Sequence, residues 1–267
     1  MKTKCGVVLS LVTGAVVWLA VAADAAGAAG AAVTADTGGS PFSQERLEGR
    51  ALANSIVAQK PTEGNSLTGS LKVRPATGKR VEIPIKFQTL VTATNWQNLY
   101  LMHDTGNNRA ALLTVIHAPP RPNLFVLATI AGTGGETEQV TQLTGNQAMI
   151  PFAGSDFWVI DLGLEFFHWP VQRVIKKEKQ RGMACSVLES TNPKPAPGAY
   201  RRVVSWVDTE TLGIVKAEAY DANDKLFKTF TPKKFKKVNG RWQLKEMEII
   251  NERADSRTTI AFDLPDD

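Results

Sequence analysis

The sequence predicts a mainly β protein: a half-open antiparallel β-barrel, or curved sheet, with an N-terminal helix and a short helical lid over the concave face. Three observations carry that prediction. A ladder of short amphipathic segments with period-two alternation fills the C-terminal third. Turn chemistry separates the segments: Asp221-Ala222-Asn223-Asp224 closes one hairpin, and Asn239-Gly240 offers the positive φ angles of a two-residue hairpin turn. Strands also follow one another without helices between them, which excludes a parallel βαβ architecture.

The 267-residue chain opens with an address label. Lys2 and Lys4 precede the apolar stretch Gly6 to Ala22, which is short for a spanning helix, and Ala23-Asp24-Ala25 has the small-x-small pattern that signal peptidase reads. Residues 1–25 are therefore expected to be a signal peptide cleaved near Ala25, an uncleaved anchor being the alternative. Cleavage removes Cys5 and leaves Cys185 as the sole thiol, so no internal disulfide can form and the hydrophobic core must supply stability. Residues 26–41, rich in Ala, Gly, Thr and Ser, are expected to be a flexible leader. Residues 42–267 read as a single domain, long enough to bury a sizeable interior. The formal net charge of +5 favours acidic partners only weakly.

A helix is expected from Ser43 to Gln59, where Leu47, Ala51, Asn54, Ser55 and Ala58 recur at three or four and Pro61 ends the run. Leu67, Gly69, Leu71 and Val73 then alternate with Lys72 and Arg74, and Val81, Ile83, Ile85 and Phe87 with Arg80, Glu82 and Lys86. Such patterning means one wet and one buried face. Further strands are expected at 97–103, 112–117 and 124–130, the last two separated by the stiff corner 118–122. The clearest later strands are 201–207, 212–220, 226–231, 242–250 and 257–262.

The middle of the chain is too aromatic for an ordinary surface loop. Pro151 to Trp158 leads into Asp161-Leu162-Gly163-Leu164-Glu165-Phe166-Phe167-His168-Trp169-Pro170, where Asp161 is expected to cap a short helix that stops at Pro170. These residues, with Cys185 to Ser190, Val204 to Asp208, Lys216 to Asp221 and Trp242 to Met247, resemble in order the LolA-like outer-membrane lipoprotein-sorting family of Gram-negative bacteria, in its broad and mostly uncharacterised branch. The resemblance runs from the helix near Glu45 to Phe262. It implies an incomplete antiparallel β-barrel closed by helices, an apolar cavity for acyl chains and a periplasmic location. In the carrier that gives the family its name an arginine inside the cavity couples opening to cargo. No equivalent is assigned here, because Arg74 belongs to the polar face of its strand.

Physical reasoning points the same way. A one-sided apolar sheet with few helices cannot fill its own concavity, and Val215, Ala217 and Ala219 are small where a packed core prefers larger groups. They are the expected cavity-lining residues. Trp158, Leu162, Leu164, Phe166, Phe167 and Trp169 are the expected lipid-binding lid, with Gly154 and Gly163 leaving room for a hinge. About ten methylenes of an acyl chain buried in such a cavity would gain on the order of 8 kcal/mol before ordering costs. The alternatives are a sheet filled by its own aromatic side chains and a plug that never moves.

Basic stretches at Lys225 to Lys237 and at Lys176 to Arg181 read as solvated strand faces protected against edge pairing, or as contacts for anionic headgroups or an acidic partner. Nucleic acid is not an expected partner. His103, His117 and His168 lack metal-site spacing, Gly132 to Gly135 lacks the Lys-Ser/Thr of a phosphate loop, and Cys185 reads as a buried filler. No enzyme activity, metal or cofactor is expected. The sequence thus reads as a monomeric periplasmic carrier that binds the acyl chains of lipoproteins or other lipids and moves them toward an acceptor, such as a membrane-associated protein, at the outer membrane. An envelope-stress or lipid sensor acting through a protein partner, and a sealed structural module, are the alternatives.

Overall fold

The structure is a computed structural model that describes residues 41–104, 109–131 and 136–265; the expected signal peptide and residues 26–40 of the expected leader lie outside the described residues. Helix α1 (Pro41–Val57) leads into six strands, β1 (Asn65–Arg74), β2 (Val81–Val91), β3 (Trp96–Asp104), β4 (Arg109–His117), β5 (Leu124–Ala131) and β6 (Glu136–Leu143). After an irregular crossover come β7 (Val171–Gln180), β8 (Met183–Thr191), β9 (Arg202–Asp208), β10 (Ile214–Tyr220), β11 (Leu226–Val238), β12 (Arg241–Asn251) and β13 (Ser256–Phe262). All thirteen join one antiparallel sheet in the order β6-β5-β4-β3-β2-β1-β13-β12-β11-β10-β9-β8-β7. The sheet is curved and open, as the alternation predicts.

The topology is two meanders stitched by one seam. Each strand pairs with its chain neighbours, and the halves meet where β1 runs antiparallel to β13 with Gly69 opposite Phe262 and Leu71 opposite Ile260. The middle strands β6 and β7 therefore become the two edges. One face of the sheet carries the main core, including Leu71, Leu113, Val115, Phe125, Leu188 and Ile260, all fully buried. A smaller cluster of Cys185, Val187, Val204, Trp206 and Val215 packs separately from it.

Strands β6 and β7 were not anticipated, because neither shows a clean apolar face. β7 carries Lys176, Lys177 and Lys179 of the charge run and is an edge strand, while Arg181 lies just beyond it and donates to the Pro232 carbonyl at 2.8 Å. The Lys225 to Lys237 stretch departs from the protected-edge reading. β11 is internal, paired to β10 and β12, and its charges are met across the ladder: Lys233 lies 3.2 Å from Glu248 and Lys234 lies 2.8 Å from Glu246.

Helix α1 covers β7. Ala53 and Ile56 face the core, and Gly49 sits so close to the strand that a Cβ there would lie 2.5 Å from the Arg173 Cα. Gly69 plays the same part at the seam, where a Cβ would penetrate the Ala261 carbonyl oxygen. Gly69→Ala is therefore expected to destabilise the protein by about 1–3 kcal/mol, as overpacking does. Urea unfolding checks this, and an unchanged midpoint would show that the seam does not need the close approach.

Candidate functional site

Because β6 and β7 are opposite edges, residues 144–170 must cross from one to the other, and they do so over the core face. The crossover contains a 3-10 turn at Gly145–Ala148, a bridge pairing Pro151 with Trp158, helix α2 (Val159–Gly163) and a second 3-10 turn at Glu165–His168. Phe152, Phe157, Ile160 and Phe167 are driven fully into the core, and Leu162, Phe166 and Trp169 are buried beside them. Trp158 and Leu164 are half-buried. Trp158 stacks on Tyr200 with ring centroids 4.5 Å apart, and Phe227 meets both rings edge-on.

Two local expectations are corrected. Asp161 is not the cap of α2: the cap position is Trp158, and Asp161 reaches back from the third helical position to accept the Trp158 backbone N–H at 2.8 Å. Gly163 is a packing glycine, since a Cβ there would lie 2.6 Å from the Phe125 ring. The conformational break falls one residue later, at Leu164, which is left-handed at φ 50° and ψ 37° and joins α2 to the second 3-10 turn. A leucine there carries a steric cost of about 1–2 kcal/mol that its surroundings must sustain.

Around this break lie three small hollows. The first, about 100 Å³, is lined by Ile56, Phe87, Trp96, His117, Phe167 and His168. The second, about 60 Å³, is lined mostly by apolar groups, among them Tyr100, Phe157, Phe230, Met247 and Phe262. The third, about 30 Å³, lies against Tyr200, Ala217, Ala219 and Lys228. Leu164 borders all three, and Leu162 borders the first two. At roughly 10–15 Å³ for each water-sized group, even the first admits only about seven to ten such groups. The interior is thus partitioned, and the partition is the crossover.

Val215 does not line this space. A β-bulge between Ile214 and Lys216 shifts the phase of β10, so Ile214, Ala217 and Ala219 face the main core while Val215 joins the separate cluster around Cys185 and Trp206. The two alanines make room for a residue that sequence reasoning assigned to solvent. Lys228 lies directly across from Ala219 and is 1% exposed. Its Nζ donates to the Asp156 carbonyl at 2.7 Å, lies 3.7 Å from the Asp161 carboxylate and sits 3.8 Å above the Trp158 ring centroid. Tyr200 donates its hydroxyl to the same carboxylate at 3.2 Å. Burial pushes the lysine down to about 8 against the pull of Asp161 and Asp156, and pushes Asp161 upward against the lysine's charge. A cation held this way grips the crossover through a backbone carbonyl, a carboxylate and an aromatic face.

The crossover is also tied down on either side of α2. Ser256 and Thr258 of β13 donate to the Asp156 carboxylate at 2.5 and 2.8 Å. On the other side Gln172 donates to the Phe166 and Trp169 carbonyls at 2.9 and 3.1 Å, and Arg50 of α1 reaches the Trp169 carbonyl at 2.9 Å.

Comparison with solved structures bears on what such an arrangement is. A DUF1329 family protein from Desulfovibrio piger aligns over 82% of this chain and 91% of its own, with 19% identity and a TM-score of 0.65. A domain titled for outer membrane lipoprotein sorting from Vibrio parahaemolyticus aligns over 82% and 92%, with 17% identity and the same score. A LolA superfamily protein from Nitrosomonas europaea aligns over 83% and 95%, with 14% identity and a score of 0.54. The fold is LolA-like. A family model described as an uncharacterized protein matches residues 135–265, which hold β6, the crossover and the second meander. No curated protein matches the sequence.

Two further ionisable groups lie at the crossover of this LolA-like sheet, Glu165 buried within it and His117 half-buried beside it. His117 stacks on Trp96 at 4.9 Å and shares the first hollow with His168, so the fold brings together two histidines that the sequence keeps apart. Among the described residues no group of three or more His, Cys, Asp or Glu could hold a metal ion. Glu165 follows the strained Leu164 and accepts the Asn123 backbone N–H at 3.0 Å, while the Asn123 side chain holds the Gly163 carbonyl at 2.8 Å. Burial raises Glu165 to about 7 and lowers His117 to about 4. The raised carboxyl favours the folded state fully below its unfolded value near 4.5, and that contribution, on the order of 3 kcal/mol, is lost as pH rises through 7. His117 acts oppositely in an overlapping window, losing stability as pH falls from about 6.5 to 4. The difference in unfolding free energy between wild type and Glu165→Gln is therefore expected to move in favour of the variant between pH 5 and pH 8. Urea titrations at both pH values check it, and a pH-independent difference would refute it.

Proposed function

We propose that this protein is a periplasmic carrier that shields the acyl chains of lipids or lipoproteins beneath its crossover and passes them toward the outer membrane. One observation carries the reading: Leu162 and Leu164, set at a strained backbone break, are the wall between hollows that lie side by side on the apolar face of an open sheet. The names of the structural relatives from Vibrio and Nitrosomonas support it at the level of fold.

The mechanism follows from which contacts are local to the middle of the crossover. With the segments flanking α2 held by Ser256 and Thr258 on one side and by Gln172 and Arg50 on the other, the moving piece is Trp158 to Glu165. In the closed state Lys228, Tyr200 and Asn123 hold that piece down. Lifting it exposes Leu162 and Leu164, relaxes the left-handed leucine and merges the hollows into one trough floored by Phe87, Phe230 and Met247. An entering chain replaces the leucine contacts, each buried methylene contributing about 0.8 kcal/mol. Lys228 takes the coupling role, since its ammonium must leave Asp161 when the piece lifts. No bond-making step is assigned to the protein, and it acts as a monomer. A membrane-associated acceptor would complete delivery.

Native mass spectrometry of protein isolated from its own periplasm is expected to show adducts of acyl-chain mass. Ala217→Phe, which fills the floor beside Lys228, is expected to reduce uptake of an 11-dansylaminoundecanoic acid probe by tenfold or more, the loss of about two buried methylenes. Absence of adducts together with no probe uptake would sink the carrier reading and leave a sealed module.

A further inference from the structure

Where the β1–β13 seam ends, three arginines from adjacent chain segments line one depression. Arg74 at the end of β1 is paired directly with Arg257 of β13, and Arg80, immediately before β2, lines the same depression of about 500 Å³. Lys72, Val73, Val81, Glu82 and Thr259 complete its lining. Paired residues on neighbouring strands stand only about 5 Å apart, and like charges placed directly opposite destabilise a sheet. Acidic neighbours do not resolve the conflict. Glu82 is engaged by Lys72 at 3.5 Å, and Glu248 lies 3.2 Å from Lys233 but 3.9 Å from Arg257. Asp255 borders an adjoining depression with Arg74 and Arg257 without forming an ion pair to either among the described residues. Arg74 and Arg80 have no carboxylate within ion-pair distance among the described residues.

We propose that Arg74, Arg80 and Arg257 form a binding site for a phosphomonoester or diphosphate group. The forked, permanently charged guanidinium matches phosphate oxygens two at a time, and several forks converging on one depression suit a multiply charged anion better than a single carboxylate. The depression is also far larger than one ion needs, which fits a phosphate carried on a sugar or glycerol. Its residues are distinct from those of the hollows beneath the crossover, so it stands or falls independently of the carrier reading.

Thermal unfolding of the full mature chain at low ionic strength tests the site, with sodium pyrophosphate as probe and sodium chloride of matched ionic strength as control. Pyrophosphate is expected to raise the wild-type midpoint beyond the chloride control. Arg74→Gln is expected to raise the midpoint without any anion, because a repulsive pair is removed, and to weaken the pyrophosphate response by about tenfold or more. Flotation with vesicles of phosphatidic acid in phosphatidylcholine, against phosphatidylcholine alone, then identifies the source. Binding that depends on Arg74 assigns a lipid headgroup, and pyrophosphate binding without vesicle binding assigns a soluble phosphate compound. A wild-type response no larger than that to chloride, or equal pyrophosphate binding by wild type, Arg74→Gln and Arg257→Gln, overturns the proposal.

Discussion

The pairing of β1 with β13 is the constraint from which the rest follows. Once the outermost strands of the sequence are neighbours, the strands at its middle must lie at the two edges of the sheet, and the chain between them has to bridge the full width of the apolar face. A short loop cannot do this. The bridge is instead twenty-seven residues rich in Phe, Trp and Leu, numbered 144–170, and together with α1 it covers the apolar face of the sheet. The crossover is thus a consequence of topology.

A bridge pinned on both sides of its short helix and gripped between those points behaves differently from a packed helix. Its flanks are held by neutral or singly charged hydrogen bonds to the sheet and α1, whereas the segment between them is held by a lysine whose charge is costly to bury. Removing one member of such a pair leaves the other stranded in a dry interior, so breaking the grip by mutation is costly. The grip is weaker against a concerted displacement in which both partners regain water. The alanines of β10 belong to the same arrangement: part of the space that their small side chains leave is taken by the lysine stem, and only the remainder is open.

Much of this was legible in the sequence because alternation and turn chemistry are local signals. Asn239 and Gly240 both adopt positive φ, and Asp221 accepts the N–H groups of Asn223 and Lys225, as the turn residues foretell. Aromatic density ending at Pro170 marks the crossover for a similar reason. What escaped has non-local causes. β6 and β7 are edges whose residues need no apolar face, and the bulge that turns Val215 away is invisible to a strict count of two. Lys228 lies within a run of lysines that otherwise face solvent or ion partners, and only the alanine across the ladder marks it as buried. A small residue opposite a long charged one is the pattern that could have found it.

The seam also bears on how the molecule assembles. Leu71 meets Ile260 across most of the described chain, so the pairing that unites the two meanders waits until the final strand has been made. Contacts this distant close slowly. In the interval β1 is an unpaired edge and the apolar face is bare, the two conditions under which a β chain sticks to its neighbours. A chain is therefore most prone to association before its last strand arrives.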